Sequence, residues 1–170
     1  MGILDIFSDM HYIDCMILAK QSKGYERYGS IIIKEGIILG KGYNRAIAHP
    51  YIGKLDRIIK QGMSNHAEVE ALNDAIINGF NVSGSSLYVA GYFYDSGKLF
   101  FKTKYTCTKC IPYMKKFGIA NVYIPTVDGW ISKSLDLADK EAKEFTVNTH
   151  KKRLNIASGN FYFTQLGIDI

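Results

Sequence analysis

At 170 residues the chain is long enough to bury a core, and at 47% hydrophobic and 22% charged it has the balance of an ordinary globular protein. No apolar run reaches the roughly 18 residues of a membrane span, and the start, MGILDIFSDM, lacks the basic segment of an export signal. A net charge of +5 and an isoelectric point of about 9.0 suit an anionic ligand, without requiring a nucleic-acid polymer. Gly2 stands where an acyl chain could attach, but Ile6 occupies the position that needs Ser or Thr. Cys15, Cys107 and Cys110, with no export signal, predict a reducing, cytoplasmic setting and no disulfide framework.

In chain order, Met10, Ile13, Ile17 and Leu18 recur at helical spacing, which predicts a helix over 9–20 capped by Ser8 or Asp9. The β-branched runs Tyr28 to Lys34 and Ile37 to Tyr43, divided by Glu35-Gly36, read as a hairpin. KLDRIIKQG reads as one or two helical turns inside a longer loop. SNHAEVEALNDAIING (64–79) is the clearest helix: Ala67, Ala71, Leu72, Ala75 and Ile76 line one face and Gly79 follows its end. A strand over Leu87 to Tyr94 precedes a basic, aromatic loop, SGKLFFKTKY. A helix from Thr106–Thr108 to Phe117 accommodates Pro112 in its first turn and stops at Gly118. A short strand over Asn121 to Ile124 and a charged amphipathic helix over Ser132 to Phe145 complete the readable part. No repeat or Pro-rich linker divides the chain, so one domain over 1–170 is expected, with its core at about 9–125 and a C-terminal helix and tail over 126–170. A hairpin followed by alternating strands and helices implies an α/β fold, a mixed central sheet with helices on both faces.

The residues that carry chemistry are few. Cys107 and Cys110 in YTCTKC stand three apart at a helix start, where both thiols favour the thiolate. Taken alone, CxxC reads as a metal clamp, a redox pair or a structural zinc site. Of the four histidines, His66 opens the second strong helix and arrives with Glu68 in the triplet HAE. His66, Cys107 and Cys110 make a three-ligand set that leaves a fourth position for water, and Glu68 supplies a carboxylate to carry protons. Glu68 has a plainer reading too, as the capping-box acid three residues after an Asn65 N-cap. Glu70 reads as a structural or solvated acid, Cys15 as a small buried apolar residue and His49 as a loop residue. Lys98, Lys102, Lys104 and Lys109, interleaved with Phe100, Phe101 and Tyr105, read either as a solvated face or as a stacking surface with phosphate-binding lysines. Arg45 is a further phosphate candidate.

HAE followed by CxxC resembles the zinc-dependent cytidine and deoxycytidylate deaminases, whose signature is H-x-E with P-C-x-x-C. YGSIIIKEGIILGKGYNR is similar to the family's opening hairpin, and CTKCIPYMKKFGIANVYI to its second-motif helix and following strand. The likeness spans roughly residues 9–125 and is nearest the deoxycytidylate branch. It implies a three-layer α/β/α sandwich of the cytidine deaminase type, usually a homo-oligomer, with Zn2+ held by His66, Cys107 and Cys110. It further implies that water attacks C4 of a cytosine while Glu68 protonates N3 and then helps to expel ammonia. By the same resemblance Asn44 contacts the sugar, and the Ala67 amide and a carbonyl near Tyr105 place the base. The family has proline where this chain has Thr106. A threonine there caps the helix where proline would stiffen its entry. The ligands are untouched, and what changes is the base pocket beside them.

The expected reaction is hydrolytic deamination of a free cytosine nucleotide or nucleoside, dCMP to dUMP first. Two rivals keep the chemistry and change the substrate: a base within RNA or single-stranded DNA, or another amino-heterocycle such as adenine or guanine. A third is a zinc-stabilised binding domain without activity, in which a side chain such as Cys15 or His11 would close the fourth position.

Overall fold

The computed structural model describes residues 6–46, 58–62, 64–95, 98–102 and 107–144. A 3-10 turn, Ile6–Ser8, leads into α1, Met10–Ala19. Asp9 is the N-cap of α1, its carboxylate accepting the Tyr12 N–H at 2.9 Å. Strands β1 (Glu26–Lys34) and β2 (Ile37–Tyr43) form the expected antiparallel hairpin, turning through Glu35 and Gly36, both at positive φ. Two short strands follow, β3 (Arg45–Ala46) and β4 (Ser64–Asn65), paired with each other antiparallel. Helix α2 is Ala67–Ile77, with Gly79 at φ +81° just past its Asn78 C-cap. Next come β5 (Ser86–Asp95), β6 (Lys98–Lys102), α3 (Ile111–Lys116), β7 (Asn121–Thr126) and β8 (Gly129–Ser134). Residues 135–144 form a last helix, α4.

Five strands lie in the order β2-β1-β5-β7-β8, and β6 pairs with β5 as a sixth. The β5–β7 pair is parallel, joined through α3, and the others are antiparallel, so the sheet is mixed as expected. Alternation along the strands assigns the two faces. Ile32, Leu87, Val89, Val122 and Ile124 pack with Leu72 of α2, Met114 of α3 and Leu135 of α4. Ile31, Ile33 and Ala90 point the other way, onto Tyr12 and Cys15 of α1. The middle of β1 is buried on both faces, which is why it reads SIII without alternation. Burying both faces this way makes the three-layer α/β/α fold.

Helix α2 lies almost on the strand beneath it. A Cβ at Gly42 would overlap the Ala67 carbonyl and the Ala71 amide, and one at Gly40 the Ala71 carbonyl. Two glycines spaced by two open one face of β2 to backbone contact, and that seats the first turn of α2 against the sheet.

Four expectations shift. The charged helix begins at 135, because 129–134 pairs with β7 after the Asp128-Gly129 reversal. The basic aromatic loop contains a strand, β6, since Leu99, Phe100 and Phe101 extend the β5 hairpin. The CxxC helix starts at Ile111, behind a turn over 108–110, because Pro112 falls in its first turn. Residues 58–62 take bends and a turn, so no helical turn forms there, and the rest of KLDRIIKQG lies outside the described residues, as do His49, Lys104, Tyr105 and Thr106.

Candidate metal centre and active site

The starts of α2 and α3 meet on the α2 face of the sheet. His66 is the N-cap of α2, extended at φ −75° and ψ 158°, and its side chain makes no capping bond. Its ring is therefore left for other partners. Cys110 is the N-cap of α3 and fully buried, while Cys107 lies half-buried one turn earlier. Cys107 accepts the Cys110 amide through its carbonyl at 2.9 Å, and this turn brings the two sulfurs to one side.

The result is a three-atom cluster. One ligand atom from each of His66, Cys107 and Cys110 lies within 4.8 Å of the others, and His66 Nδ1 stands 3.3 Å from Cys110 Sγ. A tetrahedral zinc site, with bonds of about 2.3 Å to sulfur and about 2.0 Å to nitrogen, spaces its ligand atoms by roughly 3.5–3.8 Å. The cluster, with one pair at 3.3 Å and every pair within 4.8 Å, brackets that spacing. The chemistry of the donors agrees. The Cys110 hydrogen bond holds the Cys107 thiol down to about 4, and His66 adds to this while burial and the Glu68 charge oppose it. A thiolate at neutral pH is the form that binds metal. Among the described residues the group offers three ligands, the number that leaves one position for water.

Glu68 is 0% exposed and sits one residue into α2, where its charge acts on Cys107 and on the buried Tyr28 hydroxyl. The capping-box alternative does not hold, because the N-cap is His66, which places Glu68 at the second helical position. The Asn65 side chain is engaged elsewhere: it accepts from the Gln61 amide at 2.7 Å and donates to the Ile59 carbonyl at 2.8 Å and to Glu70 at 2.7 Å. Glu70 is the structural acid of this buried network. It also meets Arg45 at 3.4 Å, and Arg45 in turn lies over the Tyr43 ring. Ala67, the first residue of α2, is fully buried beside the cluster.

Asn44 is held at both ends. It accepts the Tyr28 amide at 2.8 Å and donates to the Glu26 carbonyl at 2.8 Å, so the side chain continues the β1 ladder. Among the described residues these bonds use one of its two amide hydrogens and one of its two lone pairs. Cys15 and His11, the candidates for closing the fourth position, lie on the opposite face of the sheet. Cys15 packs against α1's partners with its thiol 3.8 Å from the Tyr88 carbonyl, and the His11 ring packs on Tyr88. One polar residue escaped the sequence reading altogether. Gln61, from the KLDRIIKQG stretch expected to form one or two helical turns, donates to Cys110 Sγ at 3.6 Å and accepts the His66 amide at 2.9 Å. No local sequence signal marks it, since it reaches the cluster only through the fold.

The model of the family described as "Cytidine and deoxycytidylate deaminase zinc-binding region" matches residues 9–126. A search of curated proteins found no significant match. Among solved structures, the dCMP deaminase of cyanophage S-TIM5, determined in apo form and in complex with dCMP and dUMP, is similar over 62% of this chain and 71% of its own, at 21% identity and a TM-score of 0.45. A diaminohydroxyphosphoribosylaminopyrimidine deaminase/5-amino-6-(5-phosphoribosylamino)uracil reductase from Thermotoga maritima is similar over 66% of this chain and 27% of its own, at 23% identity and a TM-score of 0.42. RibD of Acinetobacter baumannii is similar over 65% and 25% respectively, at 23% identity and a TM-score of 0.37. With its family match spanning both HAE and CxxC, and with these residues gathered into one cluster, the chain belongs to the cytidine and deoxycytidylate deaminase family and is a zinc-dependent hydrolytic deaminase.

Proposed function

We propose that this protein converts a free cytosine nucleotide, dCMP first, to its uracil counterpart, with His66, Cys107 and Cys110 as zinc ligands and Glu68 as the catalytic acid and base. The observation that carries the reading is the three-ligand cluster with a fully buried carboxylate beside it. Zinc bound there supplies Lewis-acid activation of water, making hydroxide available near neutral pH.

The chain's own residues do the rest. Glu68 takes a proton from the attacking water as the C4–O bond forms, and gives it to N3 of the ring. It then takes the remaining hydroxyl proton and delivers it to the amino group, which leaves as ammonia while C4 becomes a carbonyl. The same carboxylate serves as base and acid in turn, and burial keeps bulk water from exchanging its proton. The Ala67 amide places the base beside the cluster, and the Asn44 side chain meets the sugar. Arg45, half-exposed next to Asn44, is the phosphate contact. Tyr105 and Thr106 complete the base pocket in this reading. The protein acts in the cytoplasm, as a homo-oligomer.

The test is ammonia release by the zinc-loaded protein across cytosine, cytidine, deoxycytidine, CMP, dCMP, adenine and guanine counterparts, and oligonucleotides. Fastest turnover with dCMP supports the reading, and preference for an oligonucleotide or a purine overturns the substrate. Glu68→Gln should keep its zinc and lose about 10²–10⁴-fold in rate. A zinc-loaded E68Q turning over at the wild-type rate would falsify the mechanism.

A further inference from the structure

Ile59 to Gln61 runs as an irregular stretch, yet its backbone is tied at Ile59 and at Gln61. The Ile59 amide donates to Asn73 Oδ1 at 2.7 Å. The Ile59 carbonyl accepts from Asn65 Nδ2 at 2.8 Å and from Asn73 Nδ2 at 3.0 Å. The Gln61 amide donates to Asn65 Oδ1 at 2.7 Å. Asn65 and Asn73 are buried, and Glu70 accepts from Asn65 at 2.7 Å and from Asn73 at 3.5 Å. All these partners sit on β4 or α2. The stretch is thus strapped to the elements that carry His66.

From this fixed backbone the Gln61 side chain spans two segments. Its Oε1 accepts the His66 N–H at 2.9 Å. Its Nε2 donates to the Lys109 carbonyl at 3.3 Å and to Cys110 Sγ at 3.6 Å. The orientation of the amide is dictated by these partners: an N–H must meet the oxygen, and a carbonyl must meet the nitrogen. Turned over, the amide would set donor against donor at His66 and acceptor against acceptor at Lys109.

We infer that Gln61 is a positioning residue of the zinc centre, clamping the His66 turn to the Cys107–Cys110 loop and donating a hydrogen bond to the Cys110 thiolate. The inference rests on the zinc reading of the cluster. Two effects follow. The clamp fixes the distance between a ligand from β4–α2 and the two from the loop before α3, which are far apart in sequence. The N–H···S bond withdraws electron density from the sulfur, so the bound metal stays a stronger Lewis acid. Outer partners of this kind typically change metal affinity by about 10–100-fold when removed.

The test uses the full chain and reads the metal centre rather than turnover. Zinc affinity is measured by competition with a chromophoric chelator, and the sulfur-to-metal charge-transfer band is recorded after replacing zinc with Co(II). Gln61→Leu should bind zinc about 10–100-fold more weakly than the wild type. Its charge-transfer band should move to longer wavelength, because an unbonded thiolate lone pair lies higher in energy. Gln61→Glu keeps the shape and the acceptor for His66 but has no donor, so its band should move the same way, and it carries the test if Q61L does not fold. Wild-type affinity and an unmoved band in the folded variants overturn the role of Gln61 and leave the zinc site standing. A wild-type protein that binds no zinc overturns both.

Discussion

On one face of the sheet, α2, α3 and α4 cover Ile32, Leu87, Val89, Val122 and Ile124 with aliphatic side chains. On the other, α1 covers Ile31 and Ala90, and beyond it the strands are covered by their own aromatic residues. Tyr88 and Tyr123 stack there with ring centres 4.3 Å apart, and Trp130 meets Tyr88 edge-on at 5.0 Å. Each face carries cysteine, Cys15 on one and the half-buried Cys107 beside the buried Cys110 on the other, and the two settings act in opposite directions. Burial in apolar surroundings pushes the Cys15 thiol up, while on the other face the hydrogen bond from Cys110 leads the set that holds Cys107 down. What makes a cysteine chemical here is thus the company of a second sulfur and an imidazole, brought together by two converging helix starts.

The comparison breaks most sharply at the cluster. Cys110→Ser should lose stoichiometric zinc and bring ammonia release to background, whereas Cys15→Ser should change neither, although both sulfurs are buried. Zinc content by atomic absorption and the deaminase assay read this directly. A second measurement sharpens it within one protein. After chelation at pH 6, one thiol per chain should react quickly with a disulfide reagent, because Cys107 is already a thiolate there. Cys15 should react only on unfolding, and fast labelling of Cys15 would deny the contrast between the faces.

Backbone contact gives a matched pair of substitutions. A Cβ at Gly42 would overlap the first turn of α2, and a Cβ at Gly29 would overlap the Cys15 carbonyl of α1. Gly42→Ala and Gly29→Ala should each destabilise by about 1–3 kcal/mol, through overpacking that only backbone movement can relieve. They should differ in what they disturb. The α2 variant moves the turn that carries His66 and Glu68, so its zinc affinity should fall. The α1 variant should keep its zinc affinity while its unfolding midpoint drops. Equal zinc affinities in two folded variants would mean that the helix seat does not set the ligand geometry.

The legible parts of this molecule were those written locally. The β1–β2 hairpin announced itself in two β-branched runs around Glu35-Gly36, and α2 in its apolar spacing and trailing Gly79. His66, Glu68, Cys107 and Cys110 were legible as residue types at a spacing, and the fold brings one ligand-capable atom from each of His66, Cys107 and Cys110 within 4.8 Å of the others. The β7–β8 hairpin was less so, because the charged residues after Ser132 read as helix and masked the Asp128-Gly129 turn signal. Strand β6 was hidden by lysines at both ends of LFF, which read as a loop. Gln61 and the Asn65–Glu70–Asn73 network left no trace. Their partners are backbone atoms and side chains joined across unrelated segments, and no period or propensity records such a link.

The smallest effect expected is on the aromatic face, at the bond from Trp130 Nε1 to Asp9 Oδ1, 2.8 Å long. Burial alone would raise the Asp9 carboxyl, but the Trp130 bond, the Tyr12 amide and the charge of His11 outweigh it and hold it below its ordinary value of 3.8. A carboxyl whose folded value is depressed stabilises the fold above its unfolded value and loses that contribution as pH falls through the folded one. At pH 7 the contribution is therefore complete, and below about pH 4 it fades. Trp130→Phe keeps a ring against Tyr88 and removes the donor, so it should cost about 0.5–1.5 kcal/mol at pH 7 by thermal or urea unfolding. The cost should shrink toward pH 3, where the wild type also loses the ionised acceptor, and zinc affinity at pH 7 should not change. A cost independent of pH would assign it to the lost indole packing, and the Asp9 bond would then be neutral; a fall in zinc affinity would show that the two faces are coupled through β5 and β7.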